Sequence, residues 1–191
     1  MSQLGLEAAR QKMLDAGVAT PAVDVFSHYY RLVESGETGL IREEDIEPLT
    51  DPPMLDDVEV SDNEAREAIG ATVIIKLNGG LGTSMGLDKA KNLLEVRDGF
   101  NFLDLIVQQV QAARRDWDAP LPLLFMNSFR TEADTLAHLS RYPDLPVDGL
   151  PLSFLQNQEP KLRADDLIPV EWPADPGLEW CPPGHGDIYT S

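Results

Sequence analysis

Apolar residues recur at helical spacing over residues 3–16, and again from Thr20 to about Gly36. In the second run Val25, Phe26, Tyr29, Tyr30 and Leu32 form the expected buried stripe, with Thr20 as N-cap and Pro21 in the first helical position. The segment LTDPPMLDDVEVSDNEA is rich in proline and aspartate and reads as a linker that rejoins a helix near Glu64. From Ala71 onward the period changes: short β-branched or apolar runs alternate with helical ones. The runs at 71–77 (ATVIIKL), 121–126 and 152–155 predict strands, with shorter extended pieces at 92–96 and 167–170. Residues 102–114 predict a helix with Phe102, Leu105, Ile106, Val110 and Ala113 on its apolar side. A second spans 131–139, with Thr131 and Asp134 at capping spacing. Strands alternating with helices predict an α/β fold built on a parallel sheet, with 71–77 as its central strand. The expected organisation is a helical extension and acidic linker over 1–65, followed by a three-layer α/β core over 66–191.

Composition adds little to this picture and excludes several function classes. At 191 residues, 42% hydrophobic and 25% charged, the chain can bury a real core without covalent staples. Cys181 is the single cysteine, so neither an internal disulfide framework nor a four-cysteine zinc site is available. The net charge of −18 and a pI near 4.3 oppose binding to nucleic acid or to an anionic membrane surface. The acidic excess clusters between residues 43 and 67, so it need not describe the field around a ligand site. The N-terminus does not read as a signal peptide, and the longest apolar stretches are too short to span a bilayer. A cytoplasmic protein is the expectation.

The stretch with candidate chemistry is KLNGGLGTSMGLDKAK, residues 76–91, which follows the best strand pattern in the chain. Glycine lets a backbone turn sharply and approach a ligand closely, and successive free N–H groups in such a turn form a nest for phosphate oxygens. The spacing is neither a Walker A loop nor the dinucleotide G-x-G-x-x-G. A tight βα turn with no ligand has the same composition. Position favours the ligand, because open α/β sheets bind at the carboxyl ends of their strands.

The string LNGGLGTSMG resembles the nucleotide-binding loop of the eukaryotic-type UDP-glucose pyrophosphorylases. KNLLEVRDGFNFLDLIVQQV, LLFMNSFRTEADT, FLQNQEPKL and PPGHGDIYTS follow in that family's order and at similar spacing. Asn78, Ser84 and Met85 favour the glucose-1-phosphate branch over the related UDP-N-acetylhexosamine enzymes. The resemblance implies a Rossmann-like, GT-A-like nucleotidyltransferase core, here incomplete. It also implies the substrates UTP and glucose 1-phosphate, with Mg²⁺ and lysine as the means of neutralising charge on the phosphates. Site roles carry over by position. Leu77, Gly79 and Gly80 would contact the uridine, and Lys91 would reach the phosphates, with Lys89 as a rival. Gln156 would read the uracil edge, and Gly184 and His185 would lie beside the nucleotide and the sugar phosphate. No metal ligand is assigned within the chain. Asp187 is not assigned as one, because the family's metal aspartate belongs to an Asn-x-Asp block expected past residue 191. On the resemblance the chain is an N-terminal fragment. A UDP-sugar pyrophosphorylase of other sugar specificity, and a noncatalytic nucleotide-binding derivative, remain open.

Overall fold

The computed structural model of the protein describes residues 2–82, 86 and 89–191. Helices α1 (Ser2–Asp15) and α2 (Thr20–Glu34) form an antiparallel pair. The Val23 N–H reaches the Ala19 carbonyl at 3.1 Å, so Ala19 takes the cap position and Thr20 lies one residue inside the helix, a correction to the expected N-cap. The buried face is also rotated from the expected stripe. It comprises Ala22, Val23, Phe26, Ser27 and Tyr30, whereas Val25 and Tyr29 are exposed. Ala22 and Ser27 are small, and Ser27 satisfies its own hydroxyl on the Val23 carbonyl at 2.6 Å, so this side of α2 can approach Ala9 and Met13 of α1 closely. Leu162, Leu167 and Trp180 complete that core from the far end of the chain.

Residues 37–60 run from this pair towards α3 (Asp62–Gly70), and every one of them is exposed. A capping box between Ser61 and Glu64 starts α3: each side chain bonds the other's backbone N–H, satisfying two donors that the first helical turn leaves unpaired.

The parallel sheet contains β1 (Ile74–Asn78), β4 (Leu123–Asn127) and β5 (Ser153–Leu155) in the order β1-β4-β5. Its middle strand is therefore β4, and β1, expected at the centre, flanks it among the described residues. The burial explains the order: Phe125 and Met126 of β4 are fully buried, while Ile75 of β1 is 40% exposed. Parallel neighbours need crossovers. Between β1 and β4 the chain forms a hairpin, β2 (Glu95–Arg97) and β3 (Phe100–Asn101), and then helix α4 (Phe102–Trp117). The hairpin turn places Asp98 and Gly99 at φ 55° and 78°, the Asp-Gly arrangement that matches strand twist. Helix α5 (Glu132–Leu139) joins β4 to β5. A short antiparallel ribbon, β6 (Glu159–Pro160) with β7 (Trp180–Cys181), follows.

The main core lies between the sheet and α4 and α5, with Leu103, Val107 and Val110 packed against Leu123, Phe125, Leu139 and Leu145. The apolar side of α4 differs from the expected one, since Leu103, Asp104 and Val107 turn inward and Phe102 is 46% exposed. A polar staple fixes that rotation. Asp104 caps back onto Asn101 N–H at 3.0 Å and accepts from Tyr142 Oη, with His138 Nε2 also 2.6 Å from its carboxylate. Burial alone would raise the Asp104 pKa, but bonds from Tyr142, the Asn101 backbone and His138 outweigh it and hold the carboxyl low. The Tyr142 phenol is pushed up to about 12, by burial first and then by Asp104.

Leu103 is fully buried, so Leu103→Ala should lower stability by about 2–5 kcal/mol. Leu40, 81% exposed in the acidic segment, should tolerate alanine within about 0.5 kcal/mol. Urea denaturation of both variants checks the contrast. Equal losses would place the core elsewhere.

Candidate functional site

At the carboxyl ends of β1 and β4 the register brings Asn78 opposite Asn127. Both are buried, and buried amides require partners. Asn78 Nδ2 donates to Asn127 Oδ1 at 2.6 Å and lies 2.9 Å from Thr135 Oγ1, while Asn92 Nδ2 donates to Asn78 Oδ1. Asn127 Nδ2 reaches Ser153 Oγ at 2.8 Å, and Ser153 in turn donates to Glu132 at 2.7 Å. The result is a buried polar platform from which the glycine loop departs.

The loop folds back on itself as an antiparallel excursion. Leu81 bridges Ala90, Gly82 N–H donates to Lys89 O at 3.2 Å, and Lys91 N–H donates to Gly80 O at 3.1 Å. Ala90 is buried and anchors the return, so the side chains of Lys89 and Lys91 on either side of it are both exposed. Lys91 is the one tied by its backbone to Gly80. Ser84 and Met85, which favour one branch of the family by resemblance, lie outside the described residues.

Gln156 follows β5, and its backbone N–H donates to Asn127 O at 2.8 Å, on the same platform. Its side chain lies flat against Gly79. A Cβ at position 79 would stand 2.2 Å from Gln156 Nε2 and 3.0 Å from its Cδ, so any larger residue there would push the Gln156 amide out of this position. Gln156 is 6% exposed, and its Oε1 is buried without a hydrogen-bond partner among the described residues. Such an atom costs about 1–3 kcal/mol unless something donates to it. Leu77, half-buried in β1, pairs with Met126 one residue before the Asn78–Asn127 pair. Four of the expected residues, Leu77, Gly79, Gly80 and Gln156, thus come together at one sheet end, with Lys91 bonded to them through its backbone.

Gly184 and His185 lie on the wall of an apolar cleft of about 910 Å³ between α2 and the C-terminal segment, which Asn157 also lines. Gly184 has φ 113°, a conformation that favours glycine, and it aims the following turn into the cleft. The link to Gln156 runs through its neighbour. Asn157 N–H and Nδ2 donate to Asp187 at 2.6 and 3.0 Å, and Thr190 and Ser191 hydroxyls donate to the same carboxylate at 2.6 and 2.9 Å. Burial would raise the Asp187 pKa, but these bonds hold it below the usual range. Its oxygens are committed to a structural staple that ties the terminal turn to Asn157. Among the described residues no group of three or more His, Cys, Asp or Glu could hold a metal ion.

Sequence reasoning missed the platform itself: Asn127, Ser128, Thr131 and Thr135 are all buried polar residues around the loop. The available signal was a run of asparagine and hydroxyl residues directly after an apolar strand. The capping role expected of Thr131 is corrected too: its side chain makes no cap bond to α5 and turns to the glycine loop instead.

Glu159 also lines the cleft, where burial first and Asp187 second raise its pKa from an ordinary 4.5 to about 7. A raised pKa means that the folded state holds the proton more tightly than the unfolded chain. Stability from this group is therefore full below about 4.5 and is lost as pH rises through about 7. Thermal melts between pH 4.5 and 8 should show this decline, and Glu159→Gln should flatten it. A Glu159→Gln profile that still falls across the window would assign the dependence to other groups.

The sequence profile of the family described as UTP–glucose-1-phosphate uridylyltransferase matches residues 23–191. A UTP–glucose-1-phosphate uridylyltransferase from Solanum tuberosum is 42% identical over 129 residues, covering 67% of this chain and 27% of its own length. The corresponding Saccharomyces cerevisiae protein is 44% identical over 119 residues, covering 62% and 23%. The chain spans about a quarter of these curated relatives. Among solved structures, a UDP-glucose pyrophosphorylase mutant from Leishmania major in complex with UDP-glucose superposes with TM-score 0.88 at 42% identity, over 98% of this chain and 39% of that one. A UDP-glucose phosphorylase from Trypanosoma brucei gives TM-score 0.86 at 40% identity, over 97% and 40%. With the family profile covering the loop, the platform and most of the cleft wall, this chain belongs to the UTP–glucose-1-phosphate uridylyltransferase family.

Proposed function

We propose that this chain supplies the uridine-binding half of an enzyme that makes UDP-glucose and pyrophosphate from UTP and glucose 1-phosphate. The observation that carries the reading is the Gln156 amide, buried against Gly79 at the carboxyl end of a parallel sheet, with Oε1 unpaired among the described residues. A uracil imide edge offers an N–H beside a carbonyl, and a glutamine amide answers with an acceptor beside a donor. Family membership and a UDP-glucose complex among the structural neighbours support the same ligand.

In the reaction a phosphate oxygen of glucose 1-phosphate bonds to the α-phosphorus of UTP as the bond to the departing pyrophosphate breaks. The chemistry needs two anions held in line and developing charge neutralised, more than it needs a proton carrier. Lys91, exposed and tied by its backbone to Gly80, is the cation proposed to reach the phosphates. Gly184 and His185 are proposed to approach the nucleotide and sugar phosphate from the cleft side. The expected Mg²⁺ finds no ligand group among the described residues, so no step is derived through it. No helix among them is long and apolar enough to cross a membrane. A cytoplasmic location is kept as part of this reading.

Calorimetric titration of the chain with UTP, UDP-glucose, CTP and ATP tests the proposal. Uridine nucleotides should bind in preference to the other two. Gln156→Ala should weaken UTP by roughly tenfold, the loss of one buried hydrogen-bonding partner. Lys91→Ala should weaken UTP while leaving uridine unchanged, with Lys89→Ala closer to the parent. Equal affinity for all four nucleotides, unaltered by Gln156→Ala, would remove Gln156 from the site.

A further inference from the structure

The first two carbonyls of the glycine loop are claimed by side chains of the turn between β4 and α5. Thr131 Oγ1 donates to Asn78 O at 2.8 Å, and Ser128 Oγ donates to Gly79 O at 3.0 Å. The pair is locked together as well. Ser128 N–H donates to Thr131 Oγ1 at 3.0 Å, and the two hydroxyl oxygens are 3.1 Å apart. Thr131 is fully buried and Ser128 is 1% exposed, so water does not compete for these bonds.

Thr131 occupies the N-cap position of α5 and makes no cap bond. Capping by threonine ordinarily stabilises a helix, and here the hydroxyl is turned away from the helix to the loop. Meanwhile Asn127, at the start of the same turn, accepts the Gln156 N–H at 2.8 Å. One short stretch, residues 127–131, therefore sets the position of both the Gly79 backbone and the Gln156 backbone.

We propose that Ser128 and Thr131 are positioning residues that set the nucleotide selectivity of this site. They hold the Asn78–Gly79 backbone at the spacing from the Gln156 amide that admits a uracil edge. The inference rests on the uridine reading of the site. It adds that selectivity resides in two hydroxyls that would not touch the base. A polar pair such as Gly79 and Gln156 discriminates only while its geometry is fixed to within a fraction of an ångström. Gly79 and Gly80, which follow Asn78 directly, carry no side chains that could fix this backbone themselves.

The test compares Thr131→Val, which keeps shape and loses the hydroxyl, with Thr131→Ser, which keeps the hydroxyl, and with Ser128→Ala. The readout is the ratio of UTP to CTP affinity in the chain, with thermal melts run alongside. General destabilisation would weaken both nucleotides together and leave the ratio unmoved. The expected result is a ratio lowered roughly tenfold in Thr131→Val and Ser128→Ala, and restored in Thr131→Ser. An unchanged ratio in the variants overturns the proposal, and if Thr131→Val fails to fold, the ratio in Ser128→Ala decides the matter alone. Hydrogen exchange separates this from failure of the uridine reading. The Gly82 and Lys91 amides, bonded within the loop, should exchange faster in the variants while Phe125 of the sheet does not. Faster exchange in the variants of a chain that shows no uridine preference would sink the nucleotide reading and leave the clamp standing. Unchanged exchange would overturn the clamp.

Discussion

The contact between Asn78 and Asn127 ties together the carboxyl ends of β1 and β4, where the glycine loop begins. The two amides face each other in register across parallel strands, in a place from which water is excluded. A buried amide left half-satisfied would destabilise the fold, so the neighbours that complete its bonds are constrained in turn: Thr135 from α5, Asn92 from the loop's return and Ser153 from β5. Three strands and one helix are thereby fixed relative to one another at the point where the glycine loop begins.

On the proposed reading, a chain of net charge −18 must present a site to a polyanion. The platform is built mainly from amides and hydroxyls, with the Glu132 carboxylate at its edge, and two exposed lysines, Lys89 and Lys91, stand on the return of the loop. Much of the acidic excess lies in residues 37–60, which are exposed throughout and joined to the platform only through α3 and β1. Local dipoles and two cations close to a phosphate act over a few ångströms, whereas charges beyond about 10 Å are largely screened at ordinary salt.

The C-terminal segment serves two bodies at once. Leu162, Leu167 and Trp180 fill the core of the helical pair, and Lys12 of α1 ion-pairs with Glu179. A few residues away, Asp187 fastens the terminal turn to Asn157, next to Gln156. The apolar cleft between α2 and that turn is the consequence, with Val25 and Tyr29 of α2 lining it rather than joining the core. His185 belongs to this wall, and its distance in sequence from the glycine loop is bridged by a single buried carboxylate.

Much of the architecture was legible in the residues, because it depends on local period and composition. The helical runs, the strand before the glycine loop, the strand pattern at β4 and β5, and the turn-forming segments all follow from spacing and from Gly, Pro and Asp placement. The motif order also sufficed to identify the family and to nominate Gly79 and Gln156, which the fold brings into contact. What tertiary structure decided was every choice between equivalent local options. Which face of α2 is buried depended on the small residues that let α1 approach. Which strand is central depended on β4 having a partner on each side. Thr131 looked like a cap because capping is a local interaction, and it serves the loop because a carbonyl from residue 78 arrives beside it in the fold. Sequence spacing records neighbours along the chain; the platform is made of groups up to 57 residues apart, whose pairing only the packed sheet creates.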